Sequence, residues 1–241
     1  CPHWNAIPFE RIGAFLFEPG SSSGLVRFPP VDLLRSVVRE VRDRGGLVLV
    51  NEVTTGIGRT GMWFGYQHYG IAPDVVAIGK GIGNGYPVAV TAVTAGTVDR
   101  LGGRAVPYAQ SHQNDPLGAA VAGAVLRVIR DEGLIERGRE TGGILLSGLE
   151  AIACRTGCLA AVRGRGLMIA IELRDAQGAA CTAGVHRELI RRGFLVGRRP
   201  GTSVLRLDPP LNVDRADIAG FLEALESVLR QSPSPTVQSA V

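Results

Sequence analysis

Four short apolar runs, each closing on polar or glycine-rich residues, constrain this chain more than any other feature. Leu47-Val48-Leu49-Val50 is apolar throughout and ends at Asn51-Glu52. Such a run suits a strand of a parallel sheet buried on both faces. Residues 12–17 end at Glu18-Pro19, residues 74–78 end at Gly79-Lys80-Gly81, and residues 88–95 read as a fourth strand. After the first strand, residues 31–44 carry Leu33, Leu34, Val37, Val38 and Val41 at helical spacing, and Gly45-Gly46 stops them. Strands alternating with helices or loops predict an α/β fold. The polar residues just past the strands' C-terminal ends mark the edge where open α/β sheets bind ligands.

The second half changes character. A helix is predicted from Pro116 to about Asp131, Gly133 breaks it, and a second helix covers 135–153. Strands at 167–173, 194–196 and 204–207 and helices at 180–192 and 214–229 then follow. This predicts a larger α/β unit over 1–132 and a smaller α+β unit over 133–230. The Ser/Pro tail, 231–241, is expected to be disordered. Gly20-Ser21-Ser22-Ser23-Gly24 reads as a flexible link.

Composition excludes several classes. The net charge is +4, but the arginines are interleaved with acids and no basic run carries aromatic residues, which argues against nucleic-acid binding. Cys1, Cys154, Cys158 and Cys181 show no metal-ligand spacing, so no metal is expected. No apolar run reaches the length of a membrane span, and a cytoplasmic protein is expected.

Of the 26 basic residues, Lys80 alone is lysine. A surface loop would explain a lysine, yet elsewhere this chain uses arginine wherever it needs a cation. Lysine offers what arginine does not, an amine able to lose its proton and attack a carbonyl.

The neighbouring motifs add to this. Val50-Asn51-Glu52-Val53-Thr54-Thr55-Gly56-Ile57-Gly58-Arg59-Thr60-Gly61, Ala72-Pro73-Asp74 and Gly79-Lys80-Gly81-Ile82-Gly83-Asn84-Gly85-Tyr86-Pro87 stand in order. Asp115-Pro116-Leu117, Arg163-Gly164-Arg165-Gly166-Leu167 and Leu205-Arg206-Leu207-Asp208-Pro209-Pro210-Leu211 follow them. Together they closely resemble the class III aminotransferases (the ornithine, acetylornithine and 4-aminobutyrate type), pyridoxal-phosphate enzymes of fold type I. The resemblance runs from Ile12 to about Arg230.

It implies a set of roles. Lys80 forms a Schiff base with pyridoxal 5'-phosphate and then serves as acid and base at the substrate carbon. Asn51 meets the ring nitrogen and Val53 packs on the ring. Thr54 stands where the family's Gln contacts the ring hydroxyl. Ser111 stands where a Thr donates to the cofactor phosphate of a neighbouring subunit, which implies a dimer. Arg206 grips a substrate carboxylate. Ser23 replaces a Glu that pairs with that arginine in members handling terminal amines, leaving Arg206 open to an α-carboxylate.

Two departures qualify these expectations. Asn51 replaces the Asp that keeps the ring nitrogen protonated, so a weaker electron sink is expected. The resemblance also covers only the family's C-terminal half, without its phosphate loop or ring-stacking aromatic. A separate chain supplying the first half, or a longer product, is therefore expected. The reading is amino transfer from an amino acid to a 2-oxo acid. Decarboxylation, racemisation, elimination and a non-catalytic subunit of a split enzyme stay open.

Overall fold

A computed structural model of the protein describes residues 3–102, 104, 109–174 and 179–231. The chain divides into two compact units. The first is Cys1–Gly20, Phe28–Ile57 and Met62–Gly133; the second is Ser21–Arg27, Gly58–Gly61 and Leu134–Val241. The sequence placed Ser21–Arg27 and Gly58–Gly61 in the first unit, but their contacts lie with the second.

The first unit is built on a sheet of β1 (Ala14–Phe17), β2 (Leu47–Asn51), β3 (Val75–Ile78) and β4 (Val90–Val93), in that order. β1, β2 and β3 are parallel, while β4 runs antiparallel to β3. The link from β3 to β4 holds only the short 3-10 turn Lys80–Ile82. No crossover helix returns the chain to the same end, so the fourth strand folds back.

Helix α1 (Val31–Asp43) buries Leu34, Val38 and Val41. Leu34 and Val38 pack with Phe17, Val48, Val50, Tyr69 and Ile71. The expected burial of β2 on both faces holds on one face only: Val48 and Val50 are buried, whereas Leu47, Leu49 and Asn51 are half-buried. Helix α2 (Ala95–Leu101) starts at Thr94, whose hydroxyl accepts from the Thr97 amide. Helix α3 (Pro116–Asp131) starts at Asp115, with proline in its first turn.

In the second unit, β5 (Leu159–Arg165), β6 (Met168–Leu173), β7 (Gly197–Arg198) and β8 (Val204–Leu207) form an antiparallel sheet in the order β5-β6-β8-β7. Helices α4 (Leu134–Thr156), α5 (Ala179–Arg191) and α6 (Arg215–Gln231) complete it. Leu149, Ile169, Ile171, Leu189, Leu205 and Leu225 meet in its core.

Two strand expectations need correction. Residues 194–196 form no strand: Phe194 packs edge-on against Phe221 at 5.5 Å and Leu195 is 89% exposed. β5, unpredicted, contains Arg163-Gly164-Arg165. Gly166, at φ +55, turns the chain into β6, and a Cβ there would lie 2.4 Å from the Gly61 nitrogen. Close backbone approach is the reason for that glycine.

The expected disordered tail lies outside the described residues except Gln231, which ends α6. Among the described residues no helix is long and apolar enough to cross a membrane.

Candidate functional site

The parallel strands of the first unit deliver three polar residues to one edge. Glu18 follows β1, Asn51 ends β2, and Lys80 follows β3. Asn51 pairs with Ala77 in the β2–β3 register, and the Glu52 amide donates to the Ala77 carbonyl at 2.8 Å. Carried onward, that register sets Val53 beside Gly79 and Thr54 beside Lys80.

The contacts follow this pattern. The Lys80 Nζ donates to the Thr54 Oγ1 at 2.9 Å. A Cβ on Gly79 would meet Val53 at 3.4 Å, and one on Gly81 would meet Ile57 at 3.5 Å. Lys80 is exposed and lines an open cleft of about 460 Å³ with Gly81, Asn84, Gly85, Tyr86, Pro87 and Val88.

Lys80 also has φ +47, in the left-handed region. That region costs an L-residue about 1–2 kcal/mol. Glycine stands on both sides, yet lysine occupies the strained position. Ile57, packed nearby, has φ +55, an outlier for a β-branched residue. Strained backbone of this kind clusters at functional sites.

Asn51 is held from two directions. Its Oδ1 accepts from the Val53 amide at 3.0 Å, and its Nδ2 donates to Glu18 Oε1 at 3.2 Å. A donor on one side and a carboxylate on the other fix the orientation of the amide. The carbonyl oxygen keeps a second lone pair, so Asn51 can accept one further hydrogen bond there.

Glu52, its neighbour, carries no role in the sequence reading beyond its place in the motif. It is fully buried and accepts from Thr55 Oγ1 at 2.6 Å, the Gly65 amide at 3.0 Å and the Tyr66 amide at 2.7 Å. Burial raises its carboxyl above the ordinary value, and the three hydrogen bonds only partly oppose this. Glu52 clamps the loop after β2 and thereby holds Val53 and Thr54. The available signal was a carboxylate just past an apolar strand.

Ser111 lies exposed in the turn before α3, and no described hydrogen bond joins it to Lys80, Asn51 or Thr54. Asp115 serves the helix: its carboxylate accepts from the Leu117 amide and, at 3.0 Å, from the Tyr86 hydroxyl. That Tyr86 bond lowers the Asp115 carboxyl and raises the tyrosine.

Arg206 and Ser23 belong to the second unit. The expectation that Arg206 stands open is not met. Its Nε and Nη2 donate to Asp208 at 2.6 and 2.9 Å, and its Nη1 to the Ser22 carbonyl at 3.2 Å. Ser23 instead shares a hydroxyl hydrogen bond with Ser21, and its carbonyl accepts from Arg199 at 2.7 Å. The serine run expected to be flexible is thus tied down by two arginines.

A family model described as aminotransferase class-III matches residues 6–229. The chain is 34% identical over 227 residues to an acetylornithine aminotransferase of Mycobacterium tuberculosis (strain ATCC 25618 / H37Rv), covering 91% of this chain and 53% of that protein. It is 36% identical over 244 residues to an ornithine aminotransferase of Bordetella pertussis (strain Tohama I), covering 96% and 57%. Among solved structures, an acetylornithine aminotransferase from Elizabethkingia anophelis matches with a TM-score of 0.86 at 28% identity, over 94% of this chain and 56% of that one. A phospholyase from Arthrobacter in complex with phosphoethanolamine matches with a TM-score of 0.83 at 34% identity, over 92% and 54%. The chain spans about half the length of the curated relatives it matches.

Proposed function

Since the chain belongs to the class III aminotransferase family, we propose that it carries the lysine of a pyridoxal-phosphate-dependent transfer of an amino group from an amino acid to a 2-oxo acid. One observation carries this reading: the only lysine of the chain sits at the C-terminal edge of the parallel sheet, held by Thr54 in a backbone conformation that glycine would adopt at lower cost.

The residues fit the cofactor. Lys80 supplies the amine to which it attaches, Val53 an apolar surface for its ring, and the free lone pair of Asn51 Oδ1 an acceptor for a protonated ring nitrogen. Glu18, bonded to Asn51, places a carboxylate behind that amide. Ser111 is proposed to donate to the cofactor phosphate of a neighbouring subunit, and Thr54 to orient Lys80. Arg206, with Ser23 nearby in sequence to its partner Ser22, is proposed to face the substrate's anionic group. Pyridoxal phosphate, when bound, supplies the electron sink that lets a bond at the amino-bearing carbon break. Lys80 then holds and moves the proton at that carbon.

Turnover with an amino-acid and amine panel, with and without a 2-oxo acid, tests this reading. Amino transfer abolished by Lys80→Ala, with folding retained, supports it. Turnover unchanged in that variant would contradict it. Products of decarboxylation, racemisation or elimination would replace the reaction while leaving the lysine's role intact.

Leu16, Val90 and Val93, on the strands β1 and β4, are 62%, 36% and 43% exposed. We propose that further polypeptide covers them in the working assembly, from a second chain or from the same product. Native mass spectrometry of the chain purified from its own cells is predicted to find it joined to that polypeptide. A lone monomer that binds the cofactor would contradict this.

A further inference from the structure

One edge of the second unit's sheet is β7, two residues long and last in the strand order. Residues 193–198 lead into it and alternate exposed with half-buried, the period of a strand. Phe194 and Val196 pack on the core, while Leu195 is 89% exposed. The segment is held in place. The Phe194 amide donates to the Leu189 carbonyl at 2.9 Å, and His186 Nε2 donates to the Val196 carbonyl at 3.0 Å. It has a strand's alternation and a fixed backbone, yet among the described residues no strand pairs along its outer side.

Beside this segment lies a cavity of about 270 Å³. Leu145, Leu207, Ile218 and Phe221, all buried, line it together with Phe194 and Leu195. Two charged residues line it, and both are acids. Asp208 already holds Arg206, so Asp217, exposed in the first turn of α6, offers its carboxylate to a cation. Residues 232–241 carry no cation, so the chain's own tail lacks the matching charge. A small amine in the cavity leaves Leu195 and the strand edge in water. An added strand covers all three, because its side chains alternate and every second one faces the cavity.

We propose that residues 193–198 and this cavity dock an extended segment of the further polypeptide inferred from Leu16, Val90 and Val93, with an apolar side chain in the cavity and a lysine or arginine against Asp217. This rests on that polypeptide being present. The chain spans about half the length of the relatives it matches, so such a segment has a source. Docking adds main-chain hydrogen bonds along an open sheet edge and takes Leu195 out of water.

The test is hydrogen exchange read by mass spectrometry, comparing the full chain made alone with the assembly purified from its own cells. Residues 193–198 are predicted to exchange about tenfold more slowly in the assembly. Leu195→Asp, a change to a side chain that the fold leaves outside, removes that protection. Asp217→Asn weakens it about threefold, the size of an exposed ion pair. In both variants the amides of β6 stay as protected as in the wild type, which shows that the unit still folds. If the assembly holds a further polypeptide and residues 193–198 exchange as fast as in the chain alone, the proposal is overturned while that polypeptide stands. If no further polypeptide is found, the earlier reading falls and the proposal with it. Protection of the lone chain that grows with its concentration, or that added phenethylamine produces, assigns the face to a second copy or to a small amine and also overturns it.

Discussion

At the scale of single residues, the loop after β2 depends on Glu52. Its carboxylate satisfies three donors inside the fold without a cation. Glu52→Gln keeps the shape but turns an NH2 group toward one of those donors. We predict a loss of about 1–3 kcal/mol, read as a lower urea midpoint. The pH dependence has a definite sign. Burial raises the folded carboxyl above its ordinary 4.5, so this group's contribution is full below the ordinary value and is lost as pH rises through the raised one. Glu52→Gln should flatten that segment of the stability profile; an unchanged slope would show that another group causes it. Lys80 could be singled out from sequence because its rarity is a property of composition. The charge behind Asn51 could not, because pairing Glu18 with Asn51 requires β1 and β2 to lie side by side in register.

At the scale of elements, helices were more legible than strands. α1 stops before Gly45, which has φ +77, and α3 starts at Asp115-Pro116, both local signals. β5 was not seen because Arg163-Gly164-Arg165 is polar and glycine-rich; its pairing with β6 and the close approach of Gly166 to Gly61 decide it. The direction of β4 depends on what the link from β3 lacks. α4 and α6 are joined through Glu226, which accepts from Arg155 at 3.0 and 2.5 Å and from Arg230 at 2.7 Å. The Arg155 bonds first, then Arg230, pull its carboxyl down to about 2. The sign is opposite to that of Glu52: the contribution is present above the ordinary 4.5 and is lost as pH falls toward about 2. Glu226→Gln is predicted to melt less steeply with acid than the wild type over that range. Identical acid profiles would remove Glu226 from the account.

At the scale of the whole molecule, two units each carry part of what the sequence marked. Lys80, Asn51, Val53, Thr54 and Ser111 lie in the first, and Arg206 and Ser23 in the second. The motif order was legible because each motif is local: a strand end, a helix cap or a hairpin turn. The engagement of Arg206 by Asp208 was not drawn from the sequence, although strand alternation puts the two on one face. The most direct check on the central claim is borohydride reduction of the purified protein after pyridoxal phosphate is added, followed by peptide mass mapping. The account predicts a pyridoxyl-phosphate mass increment on the peptide containing Lys80, absent in Lys80→Ala. An unmodified Lys80 peptide in a preparation that binds the cofactor would contradict it.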